Sequence, residues 1–318
     1  LLTEQASLFI KGGNMEIKRI IAILDNWGLE LKTAIKLSEK AAKITTINDV
    51  HFVLKRKQDK ESIIREAKLL SFIQEQGINV QVLVQTKKEE FYAVFAGEVY
   101  CLYHFIEGET FLADECIRNP IVPAVLGDTL GSLHKAMASE QMTLLYPMKK
   151  LYNIVKEFTF VEINTIDNTT SLEPVWAVFN EELEGKMNKL PKQVIHRDMH
   201  LFNMIYKSGE LAEVIDFDQA EVNIRLFDLA YCSTSILNEL FDTESKRHGW
   251  FQFVQELCLS YNEKNPLLRE ERELIWHVML AIQLIFMAFF LHDEHLYNRN
   301  KEMLLWIFAN QSELEQVW

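Results

Sequence analysis

The sequence predicts an α+β protein in which a small mixed lobe precedes a large, mostly helical one. Three observations carry this. Only 11 Gly and 6 Pro occur in 318 residues, less than half the usual combined share, which favours long helices over tight turns. Strand-like alternation and a single helical stripe fill the first hundred or so residues, whereas helical periodicity dominates from Glu107 onward. Apolar residues at 48 % and charged residues at 25 % suit a globular chain with a real core, in one large domain or two modest ones.

In chain order, residues 1–14 differ in character from the rest of the chain, and 15–24 opens a clean amphipathic segment. Lys11-Gly12-Gly13-Asn14-Met15 reads as a translated ribosome-binding sequence, which places the natural start at Met15 and makes 1–14 a disordered or non-native leader. The span 43–56 ends in a strand at 50–55. Ile63, Glu66, Leu70 and Ile73 share one helical stripe over 61–76, and Gly77 ends it. Val80, Val82 and Val84 alternate as a strand, and 91–95 and 99–105 form a hairpin across Ala96-Gly97-Glu98. Helices are expected over 122–137, 172–187, 228–241, 250–262, 270–292 and 301–316. A β-rich island interrupts them: a short strand at 193–195, then a hairpin of 204–207 with 211–217 over Ser208-Gly209-Glu210. No repeat or Ser/Gly-rich linker separates the parts, so two packed lobes are expected, 15–106 and 107–318, with a cleft between them.

The formal net charge is −13, from 33 Lys and Arg against 46 Asp and Glu. Such a chain repels a phosphate backbone, so no nucleic-acid partner is expected. The four cysteines, Cys101, Cys116, Cys232 and Cys258, show no CxxC spacing. Reduced thiols in a cytoplasmic protein are expected rather than a disulfide framework or zinc site. The opening stretch contains Glu4 and lacks the pattern of a secretory signal. The longest apolar run, 278–291, is too short to span a bilayer and reads as a buried helix, so no membrane partner is expected.

The chemistry-bearing stretch is His196-Arg197-Asp198-Met199-His200-Leu201-Phe202-Asn203, followed by Ile215-Asp216-Phe217-Asp218. Asp198 leaves a short strand for a loop, where its carboxylate is suited to accept a hydroxyl proton. Asn203 offers a neutral oxygen, and the hairpin returns Asp216 towards it. One carboxylate with one amide oxygen is a hard-oxygen pair suited to Mg²⁺ shared with phosphates. A separate carboxylate nearby is what phosphoryl transfer needs to orient its acceptor.

These residues carry a family resemblance. His196-Arg197-Asp198, four residues, then Asn203 resembles the catalytic loop of the protein-kinase-like fold. Ile215-Asp216-Phe217-Asp218 and Leu226-Phe227-Asp228-Leu229-Ala230 resemble the aminoglycoside phosphotransferase and choline kinase group, and type II homoserine kinases look similar there. The core of the resemblance covers 196–230, with a weaker extension over the small lobe. It implies a bilobal α+β fold: a small N-terminal β-sheet lobe with one helix that binds ATP, and a large helical C-terminal lobe holding the catalytic loop and acceptor site. It implies Asp198 as the catalytic base and Asn203 and Asp216 as Mg²⁺ ligands. Lys55, ending its strand, takes the place of the phosphate-binding lysine, with Lys57 of equal strand parity as the alternative. Glu66 lies on an apolar stripe, a costly place for an unpaired carboxylate, and the resemblance supplies Lys55 as its partner; otherwise both are surface charges. Tyr103-His104-Phe105-Ile106 takes the place of the lobe connection whose backbone meets adenine, which puts His104 and Ile106 in the nucleotide site. Asp228 braces the catalytic loop, and Asp218 is a second metal-side carboxylate or a hydrogen-bond partner. His196 is structural, and His200 either touches substrate or fills space.

The sequence also departs from the family. The stretch taken as the loop over the phosphates, 41–49, has no glycine, and Arg197 replaces a glycine common in the aminoglycoside group. Asp216-Phe217-Asp218 stands where protein kinases have Asp-Phe-Gly. Asp228 comes only 12 residues after Asp216, too few for an activation segment, and no Ala-Pro-Glu succeeds it, which argues against a protein kinase. Two functions remain. One is an ATP- and Mg²⁺-dependent kinase acting on a hydroxyl of an aminoglycoside, amino-alcohol or homoserine-like small molecule; the other is a non-catalytic nucleotide-binding or scaffold protein of the same fold. The acceptor site is expected near Asp198 and 231–242, where Glu239, Asp242 and Glu244 either receive a cationic amine or form a solvated acidic face.

Overall fold

The computed structural model describes residues 14–167 and 170–318. Residues 1–13 of the expected leader lie outside the described residues, and Asn14 opens a helix, Asn14–Leu24. The chain separates into two compact units. One comprises the described residues up to Gly108 together with Ala212–Asp218; the other comprises Glu109–Leu211 and Gln219–Trp318.

The first unit is built on an antiparallel sheet of β1 (Leu31–Lys36), β2 (Ala41–Thr46), β3 (His51–Lys57), β4 (Ala93–Phe95) and β5 (Glu98–His104), ordered β1-β2-β3-β5-β4. This corrects the reading of 41–49 as a loop. Ile44 and Thr46 alternate inward as buried residues, and Ala41 to Thr45 pair with Lys55 to His51 of β3. The tight connection is 37–40 instead, closed by the Leu37 and Ser38 amides on the Ala41 carbonyl, and it too contains no glycine. One sheet face packs Ile44, Phe52, Leu54 and Leu102 against Ile20, Ile23 and Leu24 of the first helix. Asp59 caps the Lys60–Glu75 helix by accepting from the Ser62 amide at 2.6 Å, and that helix buries Ile63, Glu66, Leu69, Leu70 and Ile73. The expected strand at Val80–Val82–Val84 does not form. Isolated bridges link Val80 to Val214 and Leu83 to Tyr103 instead. The β4–β5 hairpin turns on Ala96 and Gly97, with φ of 52° and 80°, the pair of positive values that matches strand twist.

The remaining strands are β6 (Lys192–Ile195), β7 (Met204–Lys207), β8 (Glu210–Val214) and β9 (Glu221–Ile224). β6 and β9 pair antiparallel, Val194 opposite Val222, and Ser208-Gly209, with φ of 54° and 82°, forms the turn between β7 and β8. Helices dominate the second unit. The helix expected at 172–187 is split into Glu173–Val178 and Glu181–Lys189, because the Asn180 side chain accepts from the Leu183 amide at 3.0 Å and starts a new helix. The apolar run from Val278 falls mostly in the helix Ile275–Phe289 and is largely buried. Among the described residues no helix is long and apolar enough to cross a membrane. The helices Ile121–Met137 and Glu244–Lys264 approach closely at Gly127 and Gly131. A Cβ on Gly131 would lie 2.9 Å from the Tyr261 carbonyl oxygen.

Candidate active site

In the first unit, β3 presents Lys55 and Lys57 on one face, two residues apart. Lys57 forms ion pairs with Glu66 and Asp218. Lys55 lies 2.7 Å from Asp216 Oδ1 and 2.8 Å from Asp218 Oδ2. The expected Lys55–Glu66 pair is therefore replaced by Lys57–Glu66. Both lysines have the right strand parity, and Lys57 is the one that meets the Lys60–Glu75 helix. Glu66 is only 3 % exposed, and its other oxygen accepts from Gln81 Nε2 at 2.7 Å and the Tyr103 hydroxyl at 2.8 Å. Gln81 in turn accepts the Asp216 amide at 2.9 Å. That amide matters because Asp216 sits at φ 67°, a left-handed conformation rare for a residue with a side chain. Gln81 thus ties the helix carboxylate to the strained backbone that carries Asp216.

The charges in this cluster reinforce one another. Burial alone would lower the Lys55 pKa, but Asp218 and Asp216 outweigh it and raise it. Lys57 is raised as well: burial opposes its charge, and Glu66 and Asp218 overcome that. Burial would raise Asp218, yet Lys57 and Lys55 hold it below the usual carboxylate range. Asp218 is therefore the carboxylate both lysines share. Cys101, opposite Lys55 in the β3–β5 register, is a free buried thiol pushed up to about 12 mainly by burial, which leaves it an inert thiol. His104 ends β5, its amide donating to the Val82 carbonyl at 3.0 Å, and Ile106 lies two residues on.

In the second unit the loop after β6 is held from behind by a fully buried Asp228. Its carboxylate accepts the amides of His196 and Arg197, each at 2.8 Å, and His134 Nε2 lies 2.9 Å away. His134 Nδ1 is 2.8 Å from the Tyr261 hydroxyl, so the brace continues into the Glu244–Lys264 helix. Arg197 sits at φ 75°. Its guanidinium lies 4.1 Å from the Phe227 ring centre and 2.9 Å from the buried Glu221 carboxylate, a role glycine does not fill. His196 is fully buried, and its Nδ1 accepts the Asp198 amide at 3.3 Å.

Asp198 comes directly after this brace. The Tyr231 hydroxyl donates to its Oδ1 at 2.7 Å, and His200 Nε2 stands 3.6 Å from Oδ2. Burial would raise this carboxyl, but the nearby His200 ring and the Tyr231 hydroxyl prevail and hold it at about 2. Asn203 donates Nδ2 to the Asp198 carbonyl at 2.7 Å, so of its two amide atoms Oδ1 is the one that could ligate a cation. Among the described residues no three His, Cys, Asp or Glu gather into a metal site of their own.

A cavity of about 360 Å³ adjoins this loop, lined by His200, Leu201, Phe202, Tyr231 and Glu239 among others. Of the three acids expected to receive an amine, only Glu239 lines it. Asp242 is paired with Arg299, and Glu244 lies in the first turn of the next helix.

Residues 39–249, well over half of the chain, match the phosphotransferase enzyme family APH. The chain belongs to that family. A homoserine kinase from Zymomonas mobilis subsp. mobilis is 25 % identical over 187 residues, covering 56 % of this chain and 53 % of that protein. The chain spans about half the length of the curated relative it matches. Among solved structures, an amicoumacin kinase in complex with AMP-PNP, Ca²⁺ and Ami aligns with TM-score 0.71 and 16 % identity over 98 % of this chain and 95 % of that one. A microcompartment-associated aminopropanol kinase aligns with TM-score 0.70 and 13 % identity over 95 % and 100 %. These likenesses show the kinase-like α+β fold. Within this phosphotransferase-family chain, Asp198, Asn203 and Asp216 stand out by motif spacing, and the two lysines by the family resemblance and strand parity. Gln81, Tyr103, His134 and Tyr231 do not, since each acts on a partner far away in sequence.

Proposed function

We propose that the chain is an ATP- and Mg²⁺-dependent kinase that phosphorylates a hydroxyl of a small metabolite or antibiotic. The observation that carries this reading is Asp198, an ionised carboxylate aimed by Tyr231 in a loop clamped on buried Asp228. In this mechanism Asp198 takes the proton of the acceptor hydroxyl. The hydroxyl oxygen bonds to the γ-phosphorus as the bond from that phosphorus to the ADP oxygen breaks. Lys55, positioned by Asp216 and Asp218, meets the phosphate oxygens, and the backbone of His104 and Ile106 meets adenine. Asn203 and Asp216 would be the residues to hold a hard cation: each offers an oxygen, and Asn203 spends its amide nitrogen on the Asp198 carbonyl. Such an ion supplies neutralisation of the phosphate charge. The reading is supported by relatives named for homoserine and aminopropanol, both small molecules bearing a hydroxyl.

The test is an ATP-consumption screen of the purified chain against alcohol-bearing metabolites and antibiotics. Acceptor-dependent ADP release is expected for at least one class. The glycine-free connection at 37–40 favours the second reading, a nucleotide-binding scaffold. In that case ATP binds, no acceptor stimulates its consumption, and the kinase reading falls.

A further inference from the structure

The cavity beside Asp198 has little negative charge in its lining. Among the described residues its lining has one carboxylate, Glu239, and five aromatic side chains, Phe111, Phe202, Tyr231, Phe286 and Phe290. Three of the rings run on from one another: Tyr231 and Phe286 have centroids 5.7 Å apart, and Phe286 stacks on Phe290 at 6.2 Å. Beyond the amine that Glu239 receives, a further ammonium group would find no second carboxylate in the lining, and burying it against the rings carries a desolvation cost. An apolar body, in contrast, gains from the rings in proportion to the area it covers.

The lining also lacks spare hydroxyl donors. Thr234 Oγ1 donates to the Tyr231 carbonyl at 3.2 Å and Ser235 Oγ to the Cys232 carbonyl at 2.8 Å. Asn300 Nδ2 is committed to the Leu296 carbonyl at 2.8 Å. Two buried polar atoms of the lining are without a partner: Gln283 Oε1, on a residue only 2 % exposed, and His200 Nδ1. A buried acceptor left without a donor is costly, and a ligand that supplies one recovers that cost.

Resting on the kinase reading above, we infer that the acceptor is an amino alcohol with an aryl or branched-alkyl body and a single positive charge, rather than a polycationic amino sugar. The apolar body lies against Tyr231, Phe286 and Phe290. The amine pairs with Glu239 at the exposed rim, and Gln283 accepts a hydrogen bond from the ligand in the interior.

The test uses the purified full chain and three probes: 2-amino-3-phenylpropan-1-ol, ethanolamine and kanamycin. Calorimetry without nucleotide reads binding, and ADP release reads turnover. The aryl amino alcohol is expected to bind about ten-fold or more tightly than ethanolamine, and kanamycin is expected not to bind. Phe286→Ala should weaken the aryl probe by about ten-fold while moving ethanolamine by about two-fold at most. Gln283→Leu keeps the volume and removes the unmatched acceptor, so it should weaken the aryl probe without lowering the melting temperature. Kanamycin binding as tightly as the aryl probe, no advantage over ethanolamine, or no binding of the aryl probe overturns the inference. Kanamycin turnover alone would overturn it and keep the kinase reading. Aryl-probe binding that Phe286→Ala weakens as expected, without any phosphorylation, would keep the ligand class assigned to the cavity but remove the kinase reading and with it the ligand's role as acceptor.

Discussion

In the proposed mechanism Asp198 takes the acceptor proton, and its surroundings set what a substitution does. Asp198→Asn is nearly isosteric and keeps a hydrogen-bonding group beside Tyr231, but it removes the base. Turnover with an identified acceptor should fall by roughly 10²–10⁴, while ATP affinity measured by calorimetry stays within a few-fold; intact turnover would remove Asp198 from the mechanism. Because its carboxyl is held at about 2, Asp198 should impose no acid limb on kcat/KM above pH ~4. A limb near pH 6 would have to come from another group. The same depression stabilises the fold above the ordinary carboxyl pKa, and that contribution drains away as pH falls towards 2. The two lysines separate by burial. Lys57 and Glu66 are nearly inaccessible, with side chains 5 % and 4 % exposed, so Lys57→Ala strands a buried charge and should cost about 3–5 kcal/mol in denaturant unfolding. The double variant with Glu66→Ala should be less than additive. Lys55 faces the more open Asp216, so Lys55→Ala should cost less stability yet weaken ATP binding more. Equal losses from both variants in both assays would show that the lysines do not divide these roles. Asp198, Asn203 and Asp216 stand out as candidates in the sequence because a loop and a hairpin bring them within 19 residues of one another, whereas Lys55, on β3, is a candidate only through the family resemblance. Glu66 was legible as a carboxylate that needs a partner. Its choice of Lys57 was not, because parity admits both lysines and only the position of the helix decides.

Among elements, what the sequence reveals depends on how one-sided the burial is. The Lys60–Glu75 helix shows its stripe plainly because one face is buried and its cap, Asp59, stands at the right place. β1 escapes notice because Leu31–Lys36 has no fully buried position, so no apolar alternation marks it. β9 escapes for the opposite reason: Glu221–Ile224 is buried at every position and includes a carboxylate and an amide. The alternating valines at 80–84 look like a strand, but their backbone is satisfied piecemeal by Val214 and Leu102. The contact of the Ile121–Met137 and Glu244–Lys264 helices is the least legible feature, since glycines inside a helix read only as weaknesses. Their purpose is close approach. Gly131→Ala would gain about 1 kcal/mol of helix propensity but force apart Tyr261 and Lys264, for a net loss of about 1–2 kcal/mol. Gly127→Ala should cost more, because the rigid Leu257 carbonyl is the nearest atom to the added methyl. Urea unfolding of both variants checks the order; a stabilised Gly127→Ala would mean the helices are free to separate there.

At the scale of the whole molecule, nucleotide binding should appear as stability. Any ligand that binds the folded chain alone raises its unfolding free energy, by about 2.7 kcal/mol at a hundred times its dissociation constant. If Asn203 and Asp216 supply oxygens to a divalent ion, ATP should raise the melting temperature more with Mg²⁺ than with EDTA. Asp216→Asn also removes a partner of Lys55, so the variant without ligand will melt somewhat lower, and only the difference between the two ligand shifts is informative. That pair is partly open, with Asp216 39 % exposed, so the baseline drop should be small. The shift produced by ATP with EDTA should largely survive in Asp216→Asn, because in the proposed site Lys55 and the backbone at His104 and Ile106 would still meet the nucleotide. The extra shift from Mg²⁺ should be mostly lost. Asn203→Ala should lose it as well, although Asn203 does not touch Lys55, and this separates loss of a metal ligand from loss of an ion pair. Equal shifts with Mg²⁺ and EDTA in the unaltered chain would favour the scaffold reading. A Mg²⁺ increment that survives both substitutions would place the ion on other residues.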